Sequence, residues 1–527
     1  MSTTHTHYVQ RLLAHFDADP DRAALVSDGV ALTAAQLAAA TRRAAAAMRR
    51  EGIARGHVVG ILTEPNTAAT LILRWAANLA GATAAHVRGM NAVSPEDELR
   101  SDQQRAVVTD VGARMLAVDV ANTGRARELI AVAAEPPILA VLGAAGPGTV
   151  DLTADPGDGA DGTEAEPNPD IADADFAVIT QTSGSSGRPK GVCWTFATKN
   201  EMSASAAERS VRTNLLITAP LTHSSGFGAD DTLITGGTVV LHPGFDAAAV
   251  LRAVAEHRIG RLILGTPQVY ALGAHPDRPG TDLSSLTELI YTGSPGAPLR
   301  LREALEIFGP VLIQVYGTTE SGVLTMLLPD DHRDLHACGT VGRPLNPAAL
   351  SIRDPETGRE LPAGEVGEVW AVPRWGMACY WREPELTART VRDGWVRTGD
   401  LGRLDADGYL NLTGRLADMM KVKGIRIHPE AVEKVLNQAP GVSQAAVCGV
   451  EDADRVERIY AAVAARPGAT VDFDELRRHV SRELSDNHVP SLFELYPQLP
   501  VVGPGKPDRA RLRADARAAL TRDSSRV

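Results

Sequence analysis

The densest run of chemically useful side chains in the 527-residue chain is Gln181-Thr-Ser-Gly-Ser-Ser-Gly-Arg-Pro-Lys190-Gly191. Hydroxyls at Thr182, Ser183, Ser185 and Ser186 are interleaved with Gly184 and Gly187, and the cations Arg188 and Lys190 follow. Glycine lets backbone N–H groups crowd a polyanion, hydroxyls donate to it, and a lysine adds a compact positive charge. That is the chemistry of a phosphate cradle. The G-x-x-x-x-G-K-[ST] pattern does not fit, because Pro189 precedes Lys190 and Gly191 follows it. A plain Ser/Gly surface turn is the competing reading, and the order of residues weighs against it.

Four more segments carry groups able to act on a phosphorylated ligand or an acid. Tyr316-Gly-Thr-Thr-Glu320 follows a strand-like run at 311–315, and Trp395-Val-Arg-Thr-Gly-Asp400 places a carboxylate at a strand end. His223 stands in Leu221-Thr-His-Ser-Ser-Gly-Phe227, and Lys506 lies between Gly505 and Pro507 near the C-terminus. Each has a bland reading when taken alone. Asp400 would be a turn or cap residue, His223 a packed histidine, Lys506 an exposed tail lysine, and Tyr316-Gly317 a turn.

The elements that must hold these groups alternate in type. Thr33-Ala-Ala-Gln36 has capping-box spacing and opens an Ala-rich helix ending near Gly52. Residues 58–62 read as a buried strand, 67–80 as a helix, and Ser94-Pro95-Glu96 as another helix start with Pro at its first position. Such alternation predicts an α/β fold with mainly parallel sheets. Residues 146–173, rich in Gly, Pro, Ala and acid, read as a surface loop or linker. A boundary falls near Gly414-Arg415, beyond which about 100 residues suffice for a small α+β domain. Helices are expected there at His428-Pro429-Glu430 and over 472–484. The expected architecture is a large N-terminal domain, 1–416, and a small C-terminal domain, 417–527, joined by a hinge.

Composition narrows the function. The chain has 53 Lys+Arg against 65 Asp+Glu, a net charge of −12, which disfavours a nucleic-acid coat. Four scattered cysteines show no zinc or disulfide spacing, so free thiols in a reducing cytoplasm are expected. Residues 1–10 lack an apolar signal core, and no apolar run is long enough to span a bilayer.

Taken in order, the motifs resemble those of the adenylate-forming (AMP-binding) superfamily, which includes acyl-CoA synthetases, peptide-synthetase adenylation domains and luciferases. The resemblance runs from about Ala23 to Arg509. It implies that Thr182, Ser183, Gly184, Ser185, Ser186, Gly187 and Lys190 cradle the ATP phosphates, and that Gly293, Ser294 and Pro295 lie along the nucleotide. It implies that Tyr316 stacks on adenine beside Gly317, that Thr319 contacts the α-phosphate, and that Glu320 holds Mg²⁺. Asp400 would bind the ribose, Arg415 would make a second contact to ribose or phosphate, Asp418 would be the hinge, and Lys423 and Gly424 would belong to the loop presented for thiol transfer. Lys506 would be the catalytic lysine: a carboxylate attacking the α-phosphate brings two anions together, and a cation bridging them lowers that barrier. His223 matches the residue beside the carboxylate, although Thr222 replaces the usual aromatic. The Phe-Asp start typical of α-amino-acid selection is missing, as is space between Glu320 and Gly367 for the insertion that marks fatty-acyl-AMP ligases.

The expected activity is ATP-dependent conversion of a small-molecule carboxylic acid to an acyl adenylate, then transfer to the thiol of coenzyme A. The alternatives pass the acyl group to an acyl carrier protein or to a nitrogen nucleophile. A non-catalytic nucleotide binder is the least favoured, since binding alone does not need Lys506.

Overall fold

The computed structural model describes residues 7–27, 29–88, 99–144, 146–154, 167–182, 189–209, 211–294, 296–422, 425–452, 456–502 and 506–524. The capping box forms as expected: Thr33 Oγ1 accepts from the Gln36 N–H, Gln36 Oε1 accepts from the Thr33 N–H, and the helix runs Ala34–Arg50. Val58–Leu62 is a strand and Ala68–Leu79 a helix. The expected start at Ser94 lies outside the described residues. Within the expected loop at 146–173, Val150–Asp151 instead extends a parallel sheet by pairing with Ile138–Leu142.

Among the described residues, two large sheets dominate. One has nine strands, with the parallel centre Leu312–Thr318, Glu288–Thr292, Arg261–Gly265, Leu215–Ile217, Val239–Leu241 and Ala23–Ser27. The other has eight, with Phe176–Thr182, Thr83–His86, Val58–Leu62, Ala113–Asp119 and Ile138–Leu142 parallel. One core joins them. Leu215, Ile217 and Leu241 from the first sheet and Val59, Ile61 and Met115 from the second meet helix residues Leu12, Phe16, Leu37 and Trp75 there. Period-two alternation sends Val58 and Leu62 to a separate core on the other face of the second sheet.

An antiparallel sheet follows, built from Leu350–Arg353, Gly367–Ala371, Trp395–Leu404, Val391–Arg392 and Leu410–Arg415. Beyond Met420 the cores contain only C-terminal residues. There Val442–Glu451, Glu457–Ala465 and Leu492–Tyr496 form a three-stranded sheet. Helices Pro429–Gln438 and Phe473–Glu483 supply residues to the core on one face, and Arg509–Ser524 to the core on the other. The chain is thus an α/β protein with a large N-terminal part of mainly parallel sheets and a small α+β C-terminal part.

In a parallel α/β sheet, ligands bind beyond the carboxyl ends of the strands. Thr182 ends one such strand, and Ser294 follows Thr292. Thr319 and Glu320 follow Thr318, and His223 lies six residues beyond Ile217.

Candidate active site

Thr319 and Glu320 occupy the tight turn between Leu312–Thr318 and Gly322–Leu327. Any side chain at Gly317 would meet the Gly322 carbonyl oxygen, its Cβ only 1.8 Å away, so glycine is required there. Ser321 closes the turn: its hydroxyl accepts from the Thr318 N–H at 3.2 Å, and its own N–H donates to Thr318 Oγ1 at 3.1 Å. Glu320 is half-buried, and its Oε1 accepts from the Tyr380 hydroxyl at 2.7 Å. The Glu320 backbone carbonyl accepts from the Met377 N–H at 2.8 Å. Lys190, the first residue of Lys190–Thr195, places Nζ 5.8 Å from the centre of the Tyr380 ring.

Asp400 forms the second cluster. Its Oδ2 accepts from the buried Tyr316 hydroxyl at 2.8 Å, and its Oδ1 pairs with Arg415 Nε at 3.0 Å. Burial and the Asp400 charge push the Tyr316 phenol well above its usual range. Asp400 also raises the Arg415 guanidinium, with smaller contributions from Asp418, Tyr316 and Glu320. Asp400 is not at a strand end as expected; it lies in the middle of Trp395–Leu404. Gly399, at φ +72°, and a register shift after Leu401 interrupt the regular ladder on either side of it.

His223 occupies the N-cap position of the helix Ser224–Ile234, without a side-chain capping bond. Burial lowers its imidazole to about 4, against the opposing pull of the Glu320 carboxylate, so it is neutral at ordinary pH. Ser294 is held by Thr266, whose hydroxyl donates to the Ser294 carbonyl at 2.6 Å. Asp418 pairs with Arg513 at 2.7 Å and with Arg509 at 3.9 Å. Arg509 also pairs with Glu433 at 2.9 Å and Glu430 at 3.2 Å.

Ser183 to Gly187, Pro295, Lys423 and Gly424 lie outside the described residues. Lys506 begins a two-residue strand paired with Val501–Val502, and its side chain is outside the description. Sequence reasoning missed Tyr380, Ser321, Arg509 and Arg513. The partners of Tyr380, Arg509 and Arg513 lie 60 or more positions away in the chain, so no local pattern marks them; Ser321 bonds locally, to Thr318.

Among the described residues no helix is long and apolar enough to cross a membrane. The AMP-binding enzyme family matches residues 13–381, and the AMP-binding enzyme C-terminal domain matches 431–506. A feruloyl-CoA synthase from Amycolatopsis sp is 33% identical over 92% of this chain and 94% of its own length. The medium/long-chain-fatty-acid–CoA ligase FadD8 of Mycobacterium tuberculosis is 35% identical over 64% of this chain, a match spanning 60% of that protein. Among solved structures, the amide bond synthetase McbA from Marinactinospora thermotolerans superposes with a TM-score of 0.83 at 34% identity, covering 96% of this chain and 99% of McbA. With a family match across more than half its length, the chain belongs to the AMP-binding enzymes and is an ATP-dependent, adenylate-forming ligase.

Proposed function

We propose that this enzyme activates a small-molecule carboxylic acid as its acyl adenylate and transfers the acyl group to the thiol of coenzyme A. The observation that carries the reading is that one strand and its turn join two polar clusters, through Tyr316 in the strand and Glu320 in the turn. Buried Asp400 and Tyr316 with the exposed Arg415 form an acceptor and donor set suited to a nucleoside, while Glu320 and Lys190 meet at Tyr380. In this reading the loop 182–187 and Lys190 hold the departing phosphates, and Thr319 contacts the α-phosphate. Residues 293–295 line the nucleotide. Glu320 offers a hard oxygen, with its other oxygen held by Tyr380, and this fits a Mg²⁺ ligand. Bound Mg²⁺ neutralises phosphate charge.

Adenylation forms a bond from a carboxylate oxygen to the α-phosphorus and releases pyrophosphate. Lys506 supplies the cation that offsets the meeting of two anions. His223, neutral and half-buried, donates its ring N–H toward the acid without competing as a charge. In the second step the thiol sulfur attacks the acyl carbon, and AMP leaves. The small domain would begin at 417, pivot at Asp418 and present Lys423 and Gly424 for transfer. A cytoplasmic setting agrees with the four free cysteines.

A second reading has specific support. McbA matches as much of the chain as the coenzyme A ligases do, and a neutral His223 can accept the proton that an attacking amine must shed. The deciding experiment is ATP–pyrophosphate exchange across fatty, aryl and arylacrylic acids. AMP release is then measured with coenzyme A, a phosphopantetheine carrier protein or small amines. Thioester formation with coenzyme A supports the first reading; amide formation without thioester replaces it.

A further inference from the structure

Cys193 and Cys379 are direct partners where Lys190–Thr195 pairs antiparallel with the two-residue edge strand Cys379–Tyr380. Opposed residues in such a pair have Cα atoms roughly 4.5 or 5.5 Å apart, and both spacings lie within the roughly 4.4–6.8 Å that a disulfide spans. Both thiols are free. They share a hydrogen bond, which draws the Cys379 thiol below its usual range and pushes Cys193 up. Cys193 is fully buried, whereas Cys379 is partly exposed. The pair therefore divides into an accessible attacking sulfur and a sheltered resolving one.

We propose that Cys193 and Cys379 are a redox modification site, closing a reversible disulfide that clamps the Cys379–Tyr380 strand and slows adenylate formation. The oxidant is a small-molecule disulfide of the glutathione class. The Cys379 thiolate attacks one of its sulfurs, forming a mixed disulfide and expelling one thiolate. Cys193, deprotonated in its turn, attacks the Cys379 sulfur and expels the second. Two protein thiols lose two electrons, and the small disulfide is reduced to two thiols. Bond formation pulls the sulfurs to about 2.05 Å. The strain falls on a two-residue edge strand whose second residue is Tyr380, the partner of Glu320 and Lys190. The effect on rate rests on the placement of Glu320 proposed above; the disulfide itself does not.

The test treats the full-length protein with oxidised glutathione, then with dithiothreitol. Titratable thiols of the denatured protein should fall from four to two, with one peptide pair joined through Cys193 and Cys379. ATP–pyrophosphate exchange should fall by about ten- to a hundred-fold, the scale of a misplaced catalytic group, and recover on reduction. Cys379→Ser should keep its remaining thiols and its activity under oxidant. Cys193→Ala should instead trap a glutathione adduct on Cys379. Four thiols after oxidation, or only a glutathione adduct in the wild type, would overturn the site. A disulfide with unchanged exchange would overturn its control of activity. If Glu320→Gln leaves exchange intact, the placement of Glu320 falls, while the thiol count still judges the disulfide.

Discussion

The Tyr380 hydroxyl donates to Glu320 Oε1 over 2.7 Å, joining residues 60 positions apart; among the described residues nothing else is hydrogen-bonded to that carboxylate. If Glu320 is the metal ligand, this bond sets the direction in which its carboxylate points. Tyr380→Phe keeps the ring beneath Lys190 and removes only the hydroxyl. Losing one hydrogen bond to a charged group, about 1.5–3 kcal/mol, should raise the Mg²⁺ concentration for half-maximal adenylation about ten-fold or more. Mg²⁺ and Mn²⁺ titrations of pyrophosphate exchange test this, and wild-type metal dependence in the variant would remove Tyr380 from the site.

Asp400 is held from two sides, by Tyr316 and Arg415. Asp400→Asn preserves its size but withdraws the charge from both partners. The KM for ATP should rise about ten- to a hundred-fold, from the same 1.5–3 kcal/mol scale, with kcat changed much less. Lys190→Ala should slow adenylation while keeping the ranking of acids. A reshuffled ranking would place that loop in the acid pocket instead.

The helix that follows His223 is anchored by a buried charge cluster. Asp230 pairs with Arg74 at 2.5 Å and Lys199 at 2.8 Å and accepts from the Trp75 indole N–H at 2.9 Å; all three charged side chains are at most 3% exposed. Arg74 also donates to the Gly226 carbonyl in the first turn of the helix. The Lys199 ammonium sits 4.0 Å from the centre of the Phe227 ring. Asp230→Ala would strand two buried cations, at a cost of about 3–5 kcal/mol. Urea unfolding should show that loss. A change below about 1 kcal/mol, the surface-pair scale, would mean the cluster relaxes into water.

What the sequence made legible was local. The Thr33 and Gln36 box, the strand Val58–Leu62 and the helix capped by Asp472 depend on neighbours within four residues, and each formed as read. The site motifs were legible as types because the turn at Gly317 and the strand carrying Asp400 each have a required backbone. What joins them was not. The bonds Tyr380–Glu320 and Arg513–Asp418 depend on sheet order and on the docking of the last helix, and neither has a sequence period. Asp400 was misplaced for the same reason: bulges are set by partner strands, and nothing in Thr398-Gly399-Asp400 distinguishes a bulged strand from its end.

Buried His7 and His86 and the half-buried His223 contribute to the response to acid. Burial lowers His7 and His223 to about 4 and His86 to about 3, from an unfolded value of 6.5. Between those values the unfolded chain binds more protons than the native one, so stability rises with pH. The contribution is fully present above about pH 6.5 and is lost as pH falls toward 4. Each site adds up to about 1.4 kcal/mol per pH unit within that window. Denaturation midpoints should therefore drop steeply from pH 6.5 to 4.5, and His86→Gln should flatten the slope. An unchanged slope would mean that His86 is hydrated.

The ion pairs at Asp418 bear on the two half-reactions. Asp418 is tied to Arg513 and Arg509, both on the last helix, and Arg509 reaches Glu433 and Glu430 on the helix Pro429–Gln438. If Asp418 is the pivot, these pairs fasten it to the C-terminal part, and a rotation would have to turn the backbone on its N-terminal side. Lys506 and Lys423–Gly424 lie about 80 residues apart in the sequence, and in the proposed mechanism two orientations would present them one after the other. Lys506→Ala should abolish acyl-adenylate formation yet still convert supplied adenylate to product. Asp418→Pro, which fixes φ near about −65° and removes the carboxylate, should make adenylate but transfer it slowly. Arg513→Ala separates the two effects, since it loosens the fastening without stiffening the backbone. If Arg513→Ala slows transfer as much as Asp418→Pro, the ion pair sets the pivot; if it leaves transfer intact, backbone freedom at Asp418 does. Equal loss of both half-reactions in Lys506→Ala and Asp418→Pro, with folding preserved, would rule out two orientations.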